Sequence, residues 1–369
     1  MSKDETFQCY VTCSVLRDKI RNKIFKSLER FLVSLTVFAL GASLRGEWLL
    51  AARHLLGVPH KNKLIIYSES FDAADALQEF FWLWLICTSV GCAIYFFFGG
   101  FLHYYYYIQR KDQSNDWKCQ PNRWLTSDLV KDALYNGLVG LLIGNTTSTI
   151  LVFYLLNGGW SQMYFNVNDY TVIWFILQWP VTFFVQDYMV YLLHRVFHTP
   201  FLYKRYHKLH HRYKAPCPWT VTALHPVEVL SFQMVMISPI FIFPIHWVTY
   251  LSIVLYAYHC SIMDHSGIDM KAPWWQPWRA DTIFHDNHHQ YFHVNFGFNC
   301  HYWDMLHGTT RRSDRIYNEN IYNGFGKPLV DASENEINNA EKEMASENHL
   351  AHRKNKLLQV SHNQLIITS

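Results

Sequence analysis

Long stretches without charge divide this chain. Phe80 to Leu102 is 23 residues with no charged side chain, and Ala133 to Leu156 is 24 more. Both exceed the roughly 20 residues an α-helix needs to cross the hydrocarbon core of a bilayer. A third run goes from Thr171 to Leu193 with one acid, Asp187, inside it. A fourth, Val229 to Tyr258, is too long for one upright helix and too short for two full ones. Pro239 and Pro244 sit near its middle, so a tight or re-entrant hairpin fits it. An earlier apolar run from Phe31 is interrupted by Arg45 and Glu47. It reads as a signal anchor or interfacial helix, not as a cleaved secretory signal. The pattern predicts an all-α protein, an integral membrane helical bundle of about four spans plus a re-entrant hairpin.

Lysine and arginine set the expected orientation. Residues 1–30 carry Arg17, Lys19, Arg21, Lys23, Lys26 and Arg30, and a basic end of this kind stays in the cytosol. Two crossings return the chain to the loop holding Arg110, Lys111, Lys118 and Arg123. Two more, around a loop at 157–170 without Lys or Arg, bring it to Arg195, Lys204, Arg205, Lys208, Arg212 and Lys214. The domain division that follows is a basic cytosolic N-terminus (1–30), N-terminal membrane segments with a cytosolic loop (31–130), a principal domain (131–312) and a polar C-terminal tail (313–369). From about residue 327 the tail reads as solvated and partly disordered. Asn145-Thr146-Thr147 is a glycosylation sequon, but it lies inside an apolar span and is discounted.

Composition narrows the class. Charged residues make up 17% of the chain, below the roughly 25% of soluble domains. The net charge of +3 and the lack of a base-reading motif argue against a nucleic-acid partner. The eight cysteines (Cys9, Cys13, Cys87, Cys92, Cys119, Cys217, Cys260 and Cys300) form no CxxC pair and read as reduced residues. No Rossmann fingerprint marks a built-in nicotinamide or flavin site.

Histidine is the outlier, with 21 in the chain and 15 of them between His194 and His307. Three motifs hold eight of these: His194-Arg-Val-Phe-His198, His207-Lys-Leu-His210-His211 and His285-Asp-Asn-His288-His289. On a helix, residues three and four apart share a face, so these rings can converge on metal. Eight imidazoles suffice for two ions, and imidazole suits iron, zinc, copper and nickel alike. Ligating rings need their second nitrogen held, and Asp187, Asp264 and Asp286 are candidates to hold one. So large a donor set is excessive for a zinc hydrolase. A metal transporter would place ligands at mid-membrane, and a non-catalytic scaffold would not need three intact motifs.

These motifs resemble the fatty acid hydroxylase and sterol desaturase superfamily, the histidine-box membrane di-iron oxidases. Ala223-Leu-His225-Pro226-Val-Glu228, Asp264-His265-Ser266-Gly267 and Trp303-Asp304-Met-Leu-His307-Gly308-Thr309 extend the likeness across about residues 130–310. The resemblance implies metal ligation by His194, His198, His207, His210, His211, His285, His288 and His289, with His265 as a ninth. His225 and His259 would be ligands or supporting groups, and Asp304 would bond a ligating ring. His293, His301 and His307 would be no more than supporting or surface groups. It further implies two iron ions in a cytosolic helical domain capping the bundle, O2 as co-substrate, and residence in the endoplasmic reticulum membrane. No HPGG-type haem motif is present, so electrons would come from separate cytochrome b5 and its NAD(P)H reductase. The implied reaction is hydroxylation, oxidation or desaturation of a membrane lipid. The HxxxH spacing and the HSG and HPxE pieces favour a sterol, by C5-desaturation or C4-methyl oxidation, over a fatty-acyl or sphingolipid hydroxylase.

Overall fold

The computed structural model describes residues 23–38, 48–57 and 72–345. Arg17, Lys19 and Arg21, the apolar run's interruption at Arg45 and Glu47, and the last part of the tail lie outside the described residues. The fold is mostly helical. It opens with α1 (23–38), α2 (Trp48–Leu55) and α3 (Ala73–Leu102), which continues as a π-helical stretch over His103–Gln109. Next come α4 (Ser114–Trp117), α5 (Ser127–Leu156) and α6 (Val172–Phe197). Then follow α7 (Pro200–Leu202), α8 (Lys208–His211), α9 (Pro226–Ile237), α10 (Pro239–Ile242) and α11 (Trp247–Asp264). The last helices are α12 (Ile283–Tyr291), α13 (Tyr302–His307) and α14 (Glu334–Ala345). Two-residue strands form two small pairs, β1 (Met163–Tyr164) with β2 (Ile245–His246) in parallel, and β3 (Arg315–Ile316) with β4 (Lys327–Pro328) antiparallel.

Side chains that accept from orphan backbone N–H groups start the long helices. Asp72 caps α3 through the N–H of Ala74, Thr126 caps α5 through Leu129, and Thr171 caps α6 through Trp174. Among the described residues, two helices are long and apolar enough to cross a membrane, Ala73–Gln109 and Ser127–Leu156. Their outward faces are apolar too: Leu77, Phe81, Trp82, Ile86 and Phe97 on α3 are exposed. α6 shows the same on Val172, Ile173, Ile176, Val181 and Val185. Rows of exposed large apolar residues on neighbouring helices are what a lipid-facing surface requires, since water would make such a patch costly.

The fourth apolar run breaks where its prolines fall. Pro239 takes the first position of α10, and Pro244 follows the extended Phe243, so the chain turns back into α11. The turn docks on the α5–α6 connection: β1 and β2 pair there, and Trp174 Nε1 donates to the Pro244 carbonyl at 2.9 Å. The other ends of these helices gather the remaining loops. Tyr107 donates to the carbonyls of Pro216 and Ser266, and Gln120 Nε2 donates to the Lys214 carbonyl. All three histidine motifs lie at this second end.

One close approach fixes how the 215–225 loop lies over α5. A Cβ on Gly140 would sit 2.1 Å from the Thr222 carbonyl oxygen, closer than any real contact. Gly140→Ala is therefore expected to lower stability by about 1–3 kcal/mol, the usual cost of overpacking. Thermal unfolding of the detergent-purified protein measures it, and an unchanged midpoint would show that the loop yields freely.

The tail departs from the sequence expectation. Residues 313–345 are folded against the principal domain, with Ala340 buried. Lys214 Nζ donates to the Glu343 carbonyl, Lys208 pairs with Glu319 at 2.6 Å, and Tyr203 donates to Glu319 at 3.3 Å. These contacts come from Glu319 and the Glu343 carbonyl, while most of 329–342 is exposed, as its polar composition reads.

Candidate metal centre

The three motifs and His265 meet in one buried place. His194, His198, His207, His211 and His288 form one group in which a nitrogen of each ring lies within 4.8 Å of the others. His210, His265, His285 and His289 form a second group by the same measure. All nine are buried. The division follows helix geometry. In each HxxHH motif the first and last histidines, four apart, point within about 40° of each other and serve the same group. The middle one lies about 60° to the other side of the first and reaches across. His207 and His211 thus join His288, while His285 and His289 join His210. His194 and His198, also four apart, enter the first group, and His265 at the end of α11 completes the second.

Hydrogen bonds at the ring backs fix which nitrogen faces inward. The Nδ1 atoms of His194, His210, His265 and His288 lie 2.8, 3.3, 2.7 and 2.6 Å from the carbonyl oxygens of Phe296, Ala223, Ser261 and Val294. A carbonyl only accepts, so each Nδ1 carries the hydrogen and each Nε2 presents a lone pair. His207 Nδ1 donates to Glu228 Oε1 at 2.5 Å. His198 is fixed at one remove. His293 Nε2 donates to the Glu319 carbonyl at 3.0 Å, so its Nδ1 accepts from His198 Nδ1 at 2.9 Å.

The consequence is a set of lone pairs facing one another. His194 Nε2 and His207 Nε2 are 3.2 Å apart, and His210 Nε2 and His265 Nε2 are 3.0 Å apart. Between His210 and His265 neither nitrogen has a hydrogen to offer the other, and the same holds for His194 and His207 while Glu228 is ionised. Among the described residues, the inward Nε2 atoms of His198 and His288 have no protein partner. Protonation does not relieve this. Burial holds His198, His210, His211, His285, His288 and His289 well below the usual imidazole range, with repulsion between neighbouring rings adding to it. Burial likewise pushes His207 down to about 3 and His265 to about 4. Converging neutral nitrogens of this kind fit a bound cation. Two imidazoles bound at right angles to one ion, at bonds of about 2.1 Å, have nitrogens about 3 Å apart.

The remaining candidates occupy other positions. Asp187 accepts from the Asn299 backbone and side chain and from Trp303 Nε1, tying α6 to the 299–303 segment and holding no imidazole. Asp264 pairs with Arg279 at 2.9 Å, and Asp286 accepts from Gln120 at 2.6 Å. Asp304 takes the N–H groups of Phe296 and Gly297 and the hydroxyl of Thr309. It therefore reaches His194 only through the Phe296 carbonyl, because its carboxylate is spent closing the 296–309 turn. His225 caps α9 by accepting from Val227, and His259 faces a different cleft across α11. Glu228 and His293 are the supporting groups to which the sequence reading gave no specific role. The Glu228 position was visible in the His-Pro-x-Glu motif. The carbonyls of Ala223, Ser261, Val294 and Phe296 leave no trace in residue identity.

An apolar cavity of about 130 Å³ opens beside both groups. His194, His207, His210, His265 and Glu228 form its polar end. Leu141, Val190, Val229, Phe232, Met236 and Phe298 form its walls. Asn299 also lines it, and its Oδ1 is buried without a protein partner among the described residues.

Residues 179–309 match the family model for fatty acid hydroxylase. Lathosterol oxidase of Mus musculus is 33% identical over 165 residues, 44% of this chain and 54% of that protein. Delta(7)-sterol 5(6)-desaturase of Candida glabrata is 29% identical over 254 residues, 67% of this chain and 65% of that protein. The corresponding enzyme of Candida albicans is 32% identical over 170 residues, 45% of this chain and 43% of that protein. The chain thus spans from under half to about two thirds of the length of these relatives. Comparison with solved structures gives no match. Over the segment that carries all three histidine motifs, this chain resembles the fatty acid hydroxylase family and its sterol desaturase relatives.

Proposed function

We propose that this protein is a membrane-bound oxidoreductase that introduces a double bond into a sterol, using two histidine-bound iron ions, O2 and electrons from a separate carrier. The observation that carries this reading is the pair of histidine groups, five and four, opening on one apolar cavity. One ion would be held by His194, His198, His207, His211 and His288, and the other by His210, His265, His285 and His289. With both ions bound, the centre would supply the oxidising power that an unactivated C–H bond demands. The balance is two hydrogens from adjacent lipid carbons, O2, two electrons and two protons, giving one C=C bond and two waters. The fatty-acyl hydroxylase alternative uses the same site and the same electron supply.

The chain's own residues supply geometry and dryness. Glu228 and the carbonyls of Phe296, Ala223, Ser261 and Val294 fix the ring backs of five histidines and hold them against rotation. Phe232, Phe298 and Met236 keep water from the reacting end, where a stray proton source would waste the oxidant. Asn299 Oδ1 offers an acceptor to the single hydroxyl of a sterol. The relatives named for Delta(7)-sterol 5(6)-desaturation favour that bond of the sterol nucleus. Sterol mass spectrometry of cells lacking the gene tests the reading. A single Δ7-sterol should accumulate and disappear when the wild-type copy is restored. A shift confined to hydroxy-acyl lipids would replace it with the acyl hydroxylase reading.

In this reading α3, α5 and α6 cross the bilayer of the endoplasmic reticulum, and α9–α11 form the hairpin. The histidine end faces the cytosol, where cytochrome b5 would deliver electrons over the basic 204–214 stretch. A C-terminal epitope in sealed microsomes should be accessible to antibody without detergent. Accessibility only after permeabilisation would invert the orientation.

A further inference from the structure

A second cleft, of about 530 Å³, lies on the opposite face of α11 from the candidate centre. Ala257, Tyr258 and Ser261 face the cavity beside the histidines, while Leu255, Tyr256, His259, Cys260 and Met263 face this cleft. Its other walls are Phe31, Leu35 and Phe38 of α1 and the 270–282 segment. Most of the lining is apolar. Its lining includes Arg279 and His259, whose Nη1 and Nδ1 are buried without a protein partner among the described residues. The Arg279 side chain is only 8% exposed. A buried guanidinium N–H left unpaired is costly, so its presence at the end of an apolar cleft points to a ligand that completes it.

Charge selects the kind of ligand. Arg279 already pairs with Asp264, and Lys271 with Asp269 at 3.3 Å and Asp281 at 3.1 Å. Three carboxylates answer two cations, so the end of the cleft does not favour a phosphate or carboxylate. A neutral hydroxyl fits, because it accepts from Arg279 and can donate to or accept from the imidazole nitrogen. Trp275, which lines the cleft with Lys271, is 58% exposed, and its neighbour in sequence Trp274 is 92% exposed. Exposed tryptophans next to a lysine belong at the boundary between bilayer and water.

We propose that this cleft is a second, non-catalytic binding site for a neutral membrane amphiphile with a single hydroxyl, a sterol-like lipid, seated with its hydroxyl at Arg279 and His259. This goes beyond the function proposed above and does not depend on it, since a lipid can occupy the cleft without turnover.

The test is photolabelling of the full-length protein in lipid nanodiscs with a diazirine-bearing sterol that keeps its hydroxyl. Labelled residues are assigned by mass spectrometry. Adducts on 31–38 and 270–276 are expected, separate from adducts on 140–144 and 229–236 around the histidine cavity. His259→Leu should reduce the first set several-fold and leave the second, and Leu255→Trp, which fills the cleft, should do the same if the histidine variant is poorly folded. A probe without the hydroxyl should label the first set weakly. Adducts confined to the histidine cavity would overturn the second site. Cleft adducts indifferent to His259→Leu, Leu255→Trp and loss of the hydroxyl would overturn it as well, showing only nonspecific annular lipid.

Discussion

Alanine in place of His288, or of His210, is expected to abolish the sterol turnover proposed above while the protein still inserts and remains folded. Each belongs to a different histidine group, and each ring back is tied to a carbonyl, at Val294 and Ala223. Removing either ring takes away one of the converging lone pairs that make its group a cation site. Loss of a supporting partner alone typically costs 10–100-fold in affinity or activity, so loss of a ligand should exceed about 100-fold. The metal content of the purified protein separates this from a general defect. Wild-type protein should carry two ions per chain, and each variant should lose one of them or both. Full turnover with an undiminished metal count in either variant would remove that histidine from the assignment.

Replacement of Glu228 is the second large effect. Its carboxylate is fully buried and accepts from His207 Nδ1, while His207 Nε2 lies 3.2 Å from His194 Nε2 and 3.1 Å from His211 Nε2. Glu228 therefore sets the tautomer and angle of the most central ring of the five. Glu228→Leu should lower activity and metal affinity by about 10–100-fold, and Glu228→Gln, which keeps an acceptor oxygen, should lose less. Chelator titration of both variants reads the affinity directly. A Gln variant as impaired as the Leu variant would mean that the carboxylate's charge, more than its orientation of the ring, is what the site requires.

The residues that the sequence marked and the residues that the fold recruited differ in kind. The long uncharged runs at 80–102 and 133–156 appear as α3 and α5, because a bilayer-length apolar run leaves the backbone no alternative to internal hydrogen bonds. The histidine motifs were legible because three- and four-residue spacing on a helix places side chains on one face whatever surrounds them. Asp187, Asp264, Asp286 and Asp304 stood out as rare acids near histidines. The structure gives their oxygens to Asn299 and Trp303, to Arg279, to Gln120, and to the Phe296–Gly297 backbone. Proximity along the chain says nothing about which donor reaches a carboxylate first. The polar tail illustrates the same limit, since the Glu319 carboxylate and the Glu343 carbonyl meet lysines more than a hundred residues away in sequence.

The sequence by itself determined that this chain is helical, that it carries membrane-length apolar segments, and that at least eight histidines can share metal. Those properties depend on local spacing and on solvent, which residue order encodes directly. Only the tertiary structure decided that the nine rings divide five and four, and that His265, which the family resemblance offered as a ninth, falls in the second group. It alone showed that backbone carbonyls, Glu228 and His293 turn the lone pairs inward. Those outcomes depend on which loops meet at one end of the bundle. That meeting is set by close packing such as Gly140 against Thr222, a contact between residues some eighty positions apart that no local pattern specifies.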